Sequence, residues 1–373
     1  MSLIAARRYS SCMHGSTSPG ASGGPAHLVD RHPTVSPERL IAQLRPPPTF
    51  AEVSFATYRP DPAEPTQAAA VLACQEFCRQ AVDGRAGRRK LLGRREILPG
   101  IGLYLDGGFG VGKTHLLASA YYQLPGGGPG GSPDGAAPKA FATFGELTQL
   151  AGVFGFVECI DLLANYTAVC IDEFELDDPG NTTLISRLLS SLVERGVSVA
   201  ATSNTLPEQL GEGRFAAQDF LREISTLASI FTTVRIEGPD YRHRGLPPAP
   251  QPLSDGEVVA RAARIACATL DDFDALCAHL ATMHPSRYLT LIEGVSAVFL
   301  TGVHGIDDQN VALRLVSLTD RLYDAGIPVV ASGTKLDTIF SEEMLAGGYR
   351  KKYLRATSRL LALTAAANPP RGS

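Results

Sequence analysis

Glycines, one lysine and one threonine stand in a single short run that could hold a phosphate group. The run reads Gly107-Gly108-Phe109-Gly110-Val111-Gly112-Lys113-Thr114 and follows the apolar stretch Ile101 to Leu105. Glycines let the backbone turn tightly and aim successive N–H groups at phosphate oxygens. Lys113 can then reach the β- and γ-phosphates, and the Thr114 hydroxyl can hold Mg²⁺. A plain glycine-rich turn between a strand and a helix is the alternative.

The helix expected to begin near Lys113 favours the phosphate interpretation. The N-terminus of a helix carries a partial positive charge and unpaired N–H groups, and both attract a bound anion. An apolar strand, a glycine loop and a helix also follow one another in the order that a phosphate loop requires. The sequence therefore predicts that residues 107–115, with His115 as the last of them, bind a nucleotide.

Two acidic residues end a second apolar run. Ala168-Val169-Cys170-Ile171 is typical of a buried strand, and Asp172-Glu173 follows it directly. In a phosphoryl-transfer site, Asp172 is expected to hold Mg²⁺, and Glu173 is expected to polarise the attacking water as general base. Acids that only cap a loop are the alternative. The upstream glycine run favours the catalytic interpretation.

A polar amide follows a third apolar run. Val197 to Ala201 has the composition of a strand and leads into Thr202-Ser203-Asn204. Because α/β folds bind ligands at the carboxyl ends of parallel strands, Asn204 is a candidate for orienting the water or sensing the γ-phosphate. A turn residue after a strand is the alternative interpretation of Asn204.

These candidate residues have to be positioned by a globular α/β fold. The chain has 373 residues, 44% of them hydrophobic, and a net charge of −4, which argues against a dedicated nucleic-acid binder. No apolar run approaches the roughly 18 residues that suggest a transmembrane segment. The seven cysteines are scattered without a paired motif, which favours buried thiols in a reducing compartment. The sequence thus predicts a cytoplasmic protein.

The domain boundaries follow from composition and periodicity. Apolar residues between Thr66 and Val82 recur at helical spacing, so a helix is expected there. A weak organellar transit peptide is the alternative to a disordered N-terminal tail. The predicted divisions are a disordered tail at 1–49, a P-loop ATPase domain at 50–245, a Pro-rich linker at 246–255, a C-terminal α/β region at 256–364 and a disordered tail at 365–373.

The second half of the chain repeats parts of the first. Phe144-Gly145-Glu146-Leu147 matches Phe273-Asp274-Ala275-Leu276 at an offset of 129, and Ala168-Val169 matches Ala297-Val298 at the same offset. In the second copy, Thr301 and Gly302 replace the acid pair and no glycine run precedes them. Either the C-terminal half is a degenerate repeat without catalytic residues, or two generic βαβ units are similar by chance.

Taken together, these motifs make the chain resemble the ZapE and Afg-one-like ATPase family, a branch of the AAA+ type P-loop machines. The resemblance covers roughly Phe50 to Leu361. Besides the P-loop, the matching parts are Ser54-Phe55-Ala56-Thr57-Tyr58-Arg59-Pro60-Asp61-Pro62, Asp172-Glu173-Phe174, Glu194-Arg195-Gly196-Val197, Thr202-Ser203-Asn204, Asp240-Tyr241-Arg242 and Ala356-Thr357-Ser358-Arg359-Leu360. Two departures are the Gly/Pro-rich insert after Tyr122 and Glu175, where the family usually has glutamine.

The resemblance implies a central parallel sheet flanked by helices and Mg²⁺-dependent ATP hydrolysis. It also implies self-association into an oligomer, because in such machines a neighbouring subunit supplies a catalytic arginine; Arg222 is the first candidate and Arg214 the second. Arg355 and Arg359 are further candidates for sensing the γ-phosphate, with exposed helix arginines as the alternative. Bacterial members are associated with the division-ring protein FtsZ, and mitochondrial members with inner-membrane protein quality control.

Other functions remain open at this point. A DNA-associated loader of the DnaC and IstB type shares the P-loop and the Asp-Glu strand, and salt-sensitive binding to single-stranded DNA would favour it. A small-molecule kinase is a third possibility, although nothing suggests an arginine lid over an acceptor pocket. ATP is favoured over GTP because the sequence lacks an Asn-Lys-x-Asp guanine-binding motif.

Overall fold

A computed structural model describes residues 24–86, 98–128, 137–175, 179–207, 210, 221–239 and 251–367. The chain divides into two compact units. The P-loop unit is Val35–Arg244, and the C-terminal unit combines Gly245–Ser373 with Met1–Thr34. From residue 24 onward, the described chain therefore runs from the C-terminal unit into the P-loop unit and back.

The P-loop unit contains a parallel sheet of β-strands in the order β2-β3-β4-β1-β5. The strands are β1 (Gly102–Gly107), β2 (Ala140–Thr143), β3 (Ala168–Asp172), β4 (Ser198–Ser203) and β5 (Phe231–Ile236). The expected strands near residues 101–105, 168–171 and 197–201 are thus confirmed. Because β4 lies between β1 and β3, the residues that follow these three strands are brought to one edge of the sheet.

Helices cover both faces of this sheet. They are α1 (Pro37–Ala42), α2 (Pro65–Ala86), α3 (Lys113–Gln123), α4 (Phe144–Phe154), α5 (Phe156–Leu163), α6 (Pro179–Glu194) and α7 (Leu221–Ile230). Alternate strand residues enter different cores: Leu103 and Leu105 pack with α2 and α3, whereas Tyr104 packs with the helices of the opposite face. The α2 helix confirms the helix expected over Thr66 to Val82, and Cys74 and Cys78 are both buried on it.

The C-terminal unit has a smaller parallel sheet in the order β6-β7-β8. Its strands are β6 (Ala268–Asp272), β7 (Ala297–Val303) and β8 (Val329–Gly333). Its helices are α8 (Asp255–Ala262), α9 (Phe273–Ala281), α10 (Tyr288–Leu291), α11 (Gln309–Ala325), α12 (Glu342–Ala346) and α13 (Arg350–Ala367). Helix α11 has clear end signals, since Asp308 accepts hydrogen bonds from the first-turn N–H groups and Gly326 closes the helix in the left-handed conformation.

The expectation of a disordered tail through residue 49 is wrong for the part that the structure describes. Leu28 is fully buried in the C-terminal unit, and Leu40 and Leu44 are buried in the P-loop unit. Helix α1 begins after Ser36, whose side chain accepts a hydrogen bond from the Arg39 N–H. Leu28 stands alone, and Leu40 and Leu44 are spaced over a single helical turn, which is too short a run to establish periodicity.

The expected linker and C-terminal tail also need correction at their ends. Leu253 already pairs with Ser332 beside β8, and α8 begins at Asp255, so residues 253–255 belong to the C-terminal unit. Helix α13 continues to Ala367, beyond the expected end at 364. Residues 240–250 and 368–373 lie outside the described part of the chain.

The two sheets share one arrangement, which favours a degenerate repeat over chance similarity of two generic βαβ units. β2, α4, β3, α6 and β4 begin 128 to 131 residues before β6, α9, β7, α11 and β8. The strand register is also shared: Phe141 lies beside Cys170, and Leu270 lies beside Phe299 at the same positions of the second sheet. The second sheet therefore corresponds to β2, β3 and β4 of the first.

The repeat has lost the phosphate-binding loop. Leu105 pairs with Thr202 in the first sheet, and Leu253 pairs with Ser332 in the second. After Leu105 the chain takes eight residues to reach the start of α3, whereas α8 starts only two residues after Leu253. The C-terminal unit thus has no room for a glycine loop at this place.

Candidate functional site

The glycine loop joins the end of β1 at Gly107 to the start of α3 at Lys113. Gly112 has φ +88°, a left-handed conformation that side chains rarely adopt. A Cβ at this position would also stand 2.5 Å from Cε2 of Tyr58. Glycine is therefore required at 112 for two reasons.

Lys113 connects the loop to the end of β4. Its Nζ donates hydrogen bonds to the carbonyl oxygens of Gly107 at 2.8 Å and Gly108 at 2.6 Å, and to Oδ1 of Asn204 at 2.7 Å. The side chain is only 9% exposed. The structure thus brings Lys113 and Asn204 together, as expected from the ends of neighbouring strands.

The acid pair lies at the end of β3, next to the threonine of the loop. The Thr114 hydroxyl donates to Oδ1 of Asp172 at 3.2 Å, and the Thr202 hydroxyl donates to the same oxygen. Asp172 is 7% exposed, and Glu173 is half-buried beside it. A hydroxyl and a carboxylate at this distance are hard oxygen donors of the kind that Mg²⁺ prefers.

This donor set fits Mg²⁺ held with a nucleotide, as opposed to a metal held by protein alone. Within the described ranges, no group of three or more histidines, cysteines and acids converges as a metal cage. Mg²⁺ commonly takes one or two protein oxygens and completes its shell with phosphates and water. Thr114 and Asp172 supply two such oxygens, and the glycine loop begins the helix at whose N-terminus a phosphate can bind.

Glu173 has an unusual backbone. Its φ is +54°, one of two positive values among the described non-glycine residues. Its N–H donates to the Thr202 hydroxyl oxygen at 3.2 Å, and the N–H of Phe174 donates to the Thr202 carbonyl at 2.7 Å. β4 therefore fixes the backbone that presents the Glu173 carboxylate.

A segment before α2 packs on the glycine loop, a contact that the sequence alone does not predict. The Tyr58 hydroxyl donates to the Val111 carbonyl at 2.8 Å, and its ring meets the His115 ring edge-on at 5.6 Å. His115 Nε2 lies 2.9 Å from the Thr57 hydroxyl and 3.2 Å from the Ser54 carbonyl. The run from Ser54 to Pro62 was noticed only as part of the family resemblance, without a role for any residue.

The remaining predicted residues lie elsewhere. Phe109 and Gly110 are half-buried in the loop, and Arg222 is exposed in the first turn of α7. Arg214 lies outside the described residues. The suggestion that Arg355 or Arg359 senses the γ-phosphate stays a prediction, whereas its alternative of exposed arginines is wrong. Both side chains are buried in the C-terminal unit and hydrogen-bonded to Asp320.

The helices of the described residues are all too short or too polar to span a lipid bilayer.

Comparison with known proteins identifies a family model that covers most of the chain. The model described as AFG1-like ATPase matches residues 34–256 and 246–368. Cell division protein ZapE of Escherichia coli strain K12 is 33% identical over 168 residues, which are 42% of this chain and 43% of that protein. Lactation elevated protein 1 homolog B of Danio rerio is 24% identical over 242 residues, 54% of this chain and 47% of that protein. The matches thus span less than half the length of these relatives.

Solved structures resemble the chain weakly. Domain III of the Thermotoga maritima replication initiation protein DnaA matches with a TM-score of 0.36 and 19% identity. The match covers 52% of this chain and 69% of that chain. DnaI matches with a TM-score of 0.38 and 19% identity, and the match covers 54% of this chain and 98% of the DnaI chain. Scores this low carry no argument about function.

Proposed function

The chain belongs to the AFG1-like ATPase family, and from that membership we propose that its P-loop unit binds ATP with Mg²⁺ and hydrolyses it. The observation that carries the proposal is the meeting of four side chains at one sheet edge. Lys113 contacts Asn204, and Thr114 contacts Asp172. These side chains come from α3 and from the ends of β3 and β4, so only the folded sheet assembles them.

Each side chain has a distinct task in hydrolysis. The Lys113 ammonium, now bonded to two loop carbonyls and Asn204, is placed to exchange those partners for phosphate oxygens. Thr114 and Asp172 would hold Mg²⁺, which when bound neutralises charge on the phosphates. Glu173 would take a proton from the attacking water, and Asn204 would orient that water or contact the γ-phosphate.

The self-association that we propose rests on Arg222. Its side chain is exposed on α7, so a second copy of the chain could receive it. An arginine supplied by a neighbouring subunit can raise the hydrolysis rate by about 10³ to 10⁵. Arg214 stays the second candidate for this role.

Phosphate release at increasing protein concentration tests the proposal. We expect turnover per subunit to rise with concentration in the wild type and to disappear in Glu173→Gln, while Glu173→Gln still binds ATP. Arg222→Ala should lose the concentration-dependent part, and Arg264→Ala, which removes an exposed arginine of the C-terminal unit, should not. Flat turnover on dilution together with a fully active Arg222→Ala would contradict self-association.

We further propose that hydrolysis acts on a protein partner. The name of the Escherichia coli relative refers to cell division, and the resemblance implies FtsZ as that partner; a role in protein quality control is the alternative. Cosedimentation with FtsZ polymers, with and without ATP, tests this part. Binding to single-stranded DNA that weakens with salt would instead support a loader function. A cytoplasmic location stays a prediction, and cell fractionation would test it.

A further inference from the structure

We propose that Thr202 is a positioning residue that fixes both members of the acid pair through one hydroxyl group. The inference rests on the proposed function, because it assigns a role within the same site. Thr202 lies in β4 and is 2% exposed, so its hydroxyl has no access to bulk water. A buried hydroxyl needs hydrogen-bond partners, and Thr202 finds them in the two acidic residues.

The hydroxyl makes two different bonds. It donates its proton to Oδ1 of Asp172, and its oxygen accepts the N–H of Glu173 at 3.2 Å. The first bond orients the carboxylate that faces Thr114, and the second holds the backbone of the residue with φ +54°. Because the side chain is β-branched, few rotamers are available to it, and the hydroxyl direction is well defined.

In the C-terminal unit, the corresponding hydroxyl group makes only one of these two bonds. Ser332 occupies the position of Thr202, and its hydroxyl oxygen accepts the N–H of Gly302 at 3.2 Å. Gly302 has φ +68°, so the backbone bend of Glu173 is conserved where the acid is lost. Ser332 donates its proton to Asp255 of α8, and Thr301 stands at the position that corresponds to Asp172.

The bond to the backbone N–H therefore belongs to the fold, since both units have it. The bond to the carboxylate of β3 occurs only in the unit with the glycine loop. That bond should set the direction of the Asp172 oxygen that Mg²⁺ requires. When a residue that hydrogen-bonds a metal ligand is removed, metal affinity or activity typically falls by about 10-fold to 100-fold.

The test compares Thr202→Val, which has nearly the same shape without the hydroxyl, with Thr202→Ser, which keeps it. We expect Thr202→Val to need about 10-fold more Mg²⁺ for half-maximal ATP binding and to turn over about 10-fold to 100-fold more slowly. Affinity for ATP without Mg²⁺ should change less than twofold. Thr202→Ser should restore wild-type values, and Ser198→Ala, which removes another buried hydroxyl at the opposite end of β4, should leave them unchanged.

Several outcomes would decide against the inference. A Thr202→Val protein with the wild-type Mg²⁺ midpoint and turnover would overturn it, and so would failure of Thr202→Ser to restore them. Thr202→Ala gives a second hydroxyl-free variant if Thr202→Val unfolds. If the wild type binds MgATP but does not hydrolyse it, the proposed hydrolysis fails, and the Mg²⁺ midpoint of binding still decides the role of Thr202. A wild type without Mg²⁺-dependent nucleotide binding would overturn both.

Discussion

Lys113 and Asn204 are 91 residues apart in sequence, and their side chains meet at 2.7 Å between Nζ and Oδ1. The order of the sheet explains the meeting, because β4 lies directly beside the strand that carries the glycine loop. We expect the terminal phosphate of a bound nucleotide to lie near this amide and ammonium. The contact therefore links the binding loop to the strand that also carries Thr202.

Replacing Asn204 should separate binding from hydrolysis. We expect Asn204→Ala to lower turnover about 10²-fold to 10³-fold, the range found when a polar group that stabilises a transition state is removed. ATP affinity should fall less than about tenfold, since Lys113 and the loop remain. Steady-state phosphate release and nucleotide binding would measure the two effects. Asn165→Ala is the matched control, because Asn165 is an exposed residue after α5; equal turnover in both variants would exclude a catalytic role for Asn204.

Glu173→Gly should abolish hydrolysis and stabilise the protein. A non-glycine residue in the left-handed conformation costs roughly 1 to 2 kcal/mol, and glycine relieves this cost but loses about 0.5 to 1 kcal/mol through chain entropy. We expect a net gain of about 0.5 to 1 kcal/mol in the free energy of unfolding relative to Glu173→Gln. Urea unfolding of both variants measures it. An unchanged or lower stability of Glu173→Gly would show that the positive φ carries no strain.

Two glycines of the loop should differ in their tolerance of a methyl group. Gly112→Ala places a Cβ 2.5 Å from the Tyr58 ring at φ +88°, whereas a Cβ at Gly108 has no neighbour within 4 Å. We expect Gly112→Ala to lower the stability of the nucleotide-free protein by about 1 to 3 kcal/mol. Gly108→Ala should change it by less than about 0.5 kcal/mol. Equal unfolding midpoints would contradict the close packing of Tyr58 on the loop.

The buried ion pairs of the C-terminal unit should matter far more than surface pairs. Asp320 bonds both Arg355, at 2.8 Å, and Arg359, and these side chains are 6% to 13% exposed. We expect Asp320→Ala to destabilise this unit by about 3 to 5 kcal/mol, because it removes the carboxylate that two buried arginines contact. Asp161→Ala breaks the exposed pair with Arg195 at 2.5 Å and should cost less than about 1 kcal/mol. Similar losses in thermal unfolding would contradict this difference.

One of the described cysteines should react quickly with a thiol reagent, and the other five should react slowly. Among the described cysteines, Cys267 is exposed and the other five are buried. Burial raises the pKa of Cys78 and of Cys159 to about 12 and that of Cys277 to about 11, and it also raises the pKa of Cys74 and Cys170. Since the thiolate is the reactive form, a raised pKa leaves these thiols protonated at pH 8.

A thiol reagent at pH 8 tests this in a Cys12→Ser background, because Cys12 lies outside the described residues. We expect one fast equivalent from Cys267 and slow reaction of the others until urea unfolds the chain. Adding Cys267→Ser should remove the fast phase. Two or more fast equivalents in the Cys12→Ser protein would show that the buried thiols are accessible.

The sequence was sufficient for the parts of the site that are local. The glycine loop, the acid pair and Asn204 each end a strand, so composition and spacing were enough to place them at one sheet edge. Tyr58 and Thr202 were missed because their roles depend on contacts with residues distant in the sequence, namely Val111 for Tyr58 and Asp172 for Thr202.

The arginines of α13 show a second limit. Arg355 and Arg359 are one turn apart, a pattern that fits an exposed helix face as well as a ligand site. Their buried position depends on Asp320, which lies on a different helix and has no sequence signature of its own. Leu28 is a similar case, since a single leucine in a segment rich in proline and glycine does not show which core it will enter.

The first described residues of the chain belong to the C-terminal unit, whose strands are synthesised after the P-loop unit. Leu28 is buried against residues such as Phe273 and Val303, and the whole P-loop unit is synthesised between them. At about 5 to 20 residues per second, translation leaves Leu28 without its core for roughly 10 to 50 s. The P-loop unit can therefore fold on the ribosome first. The segment around Leu28 can pack only after β6 to β8 have been synthesised.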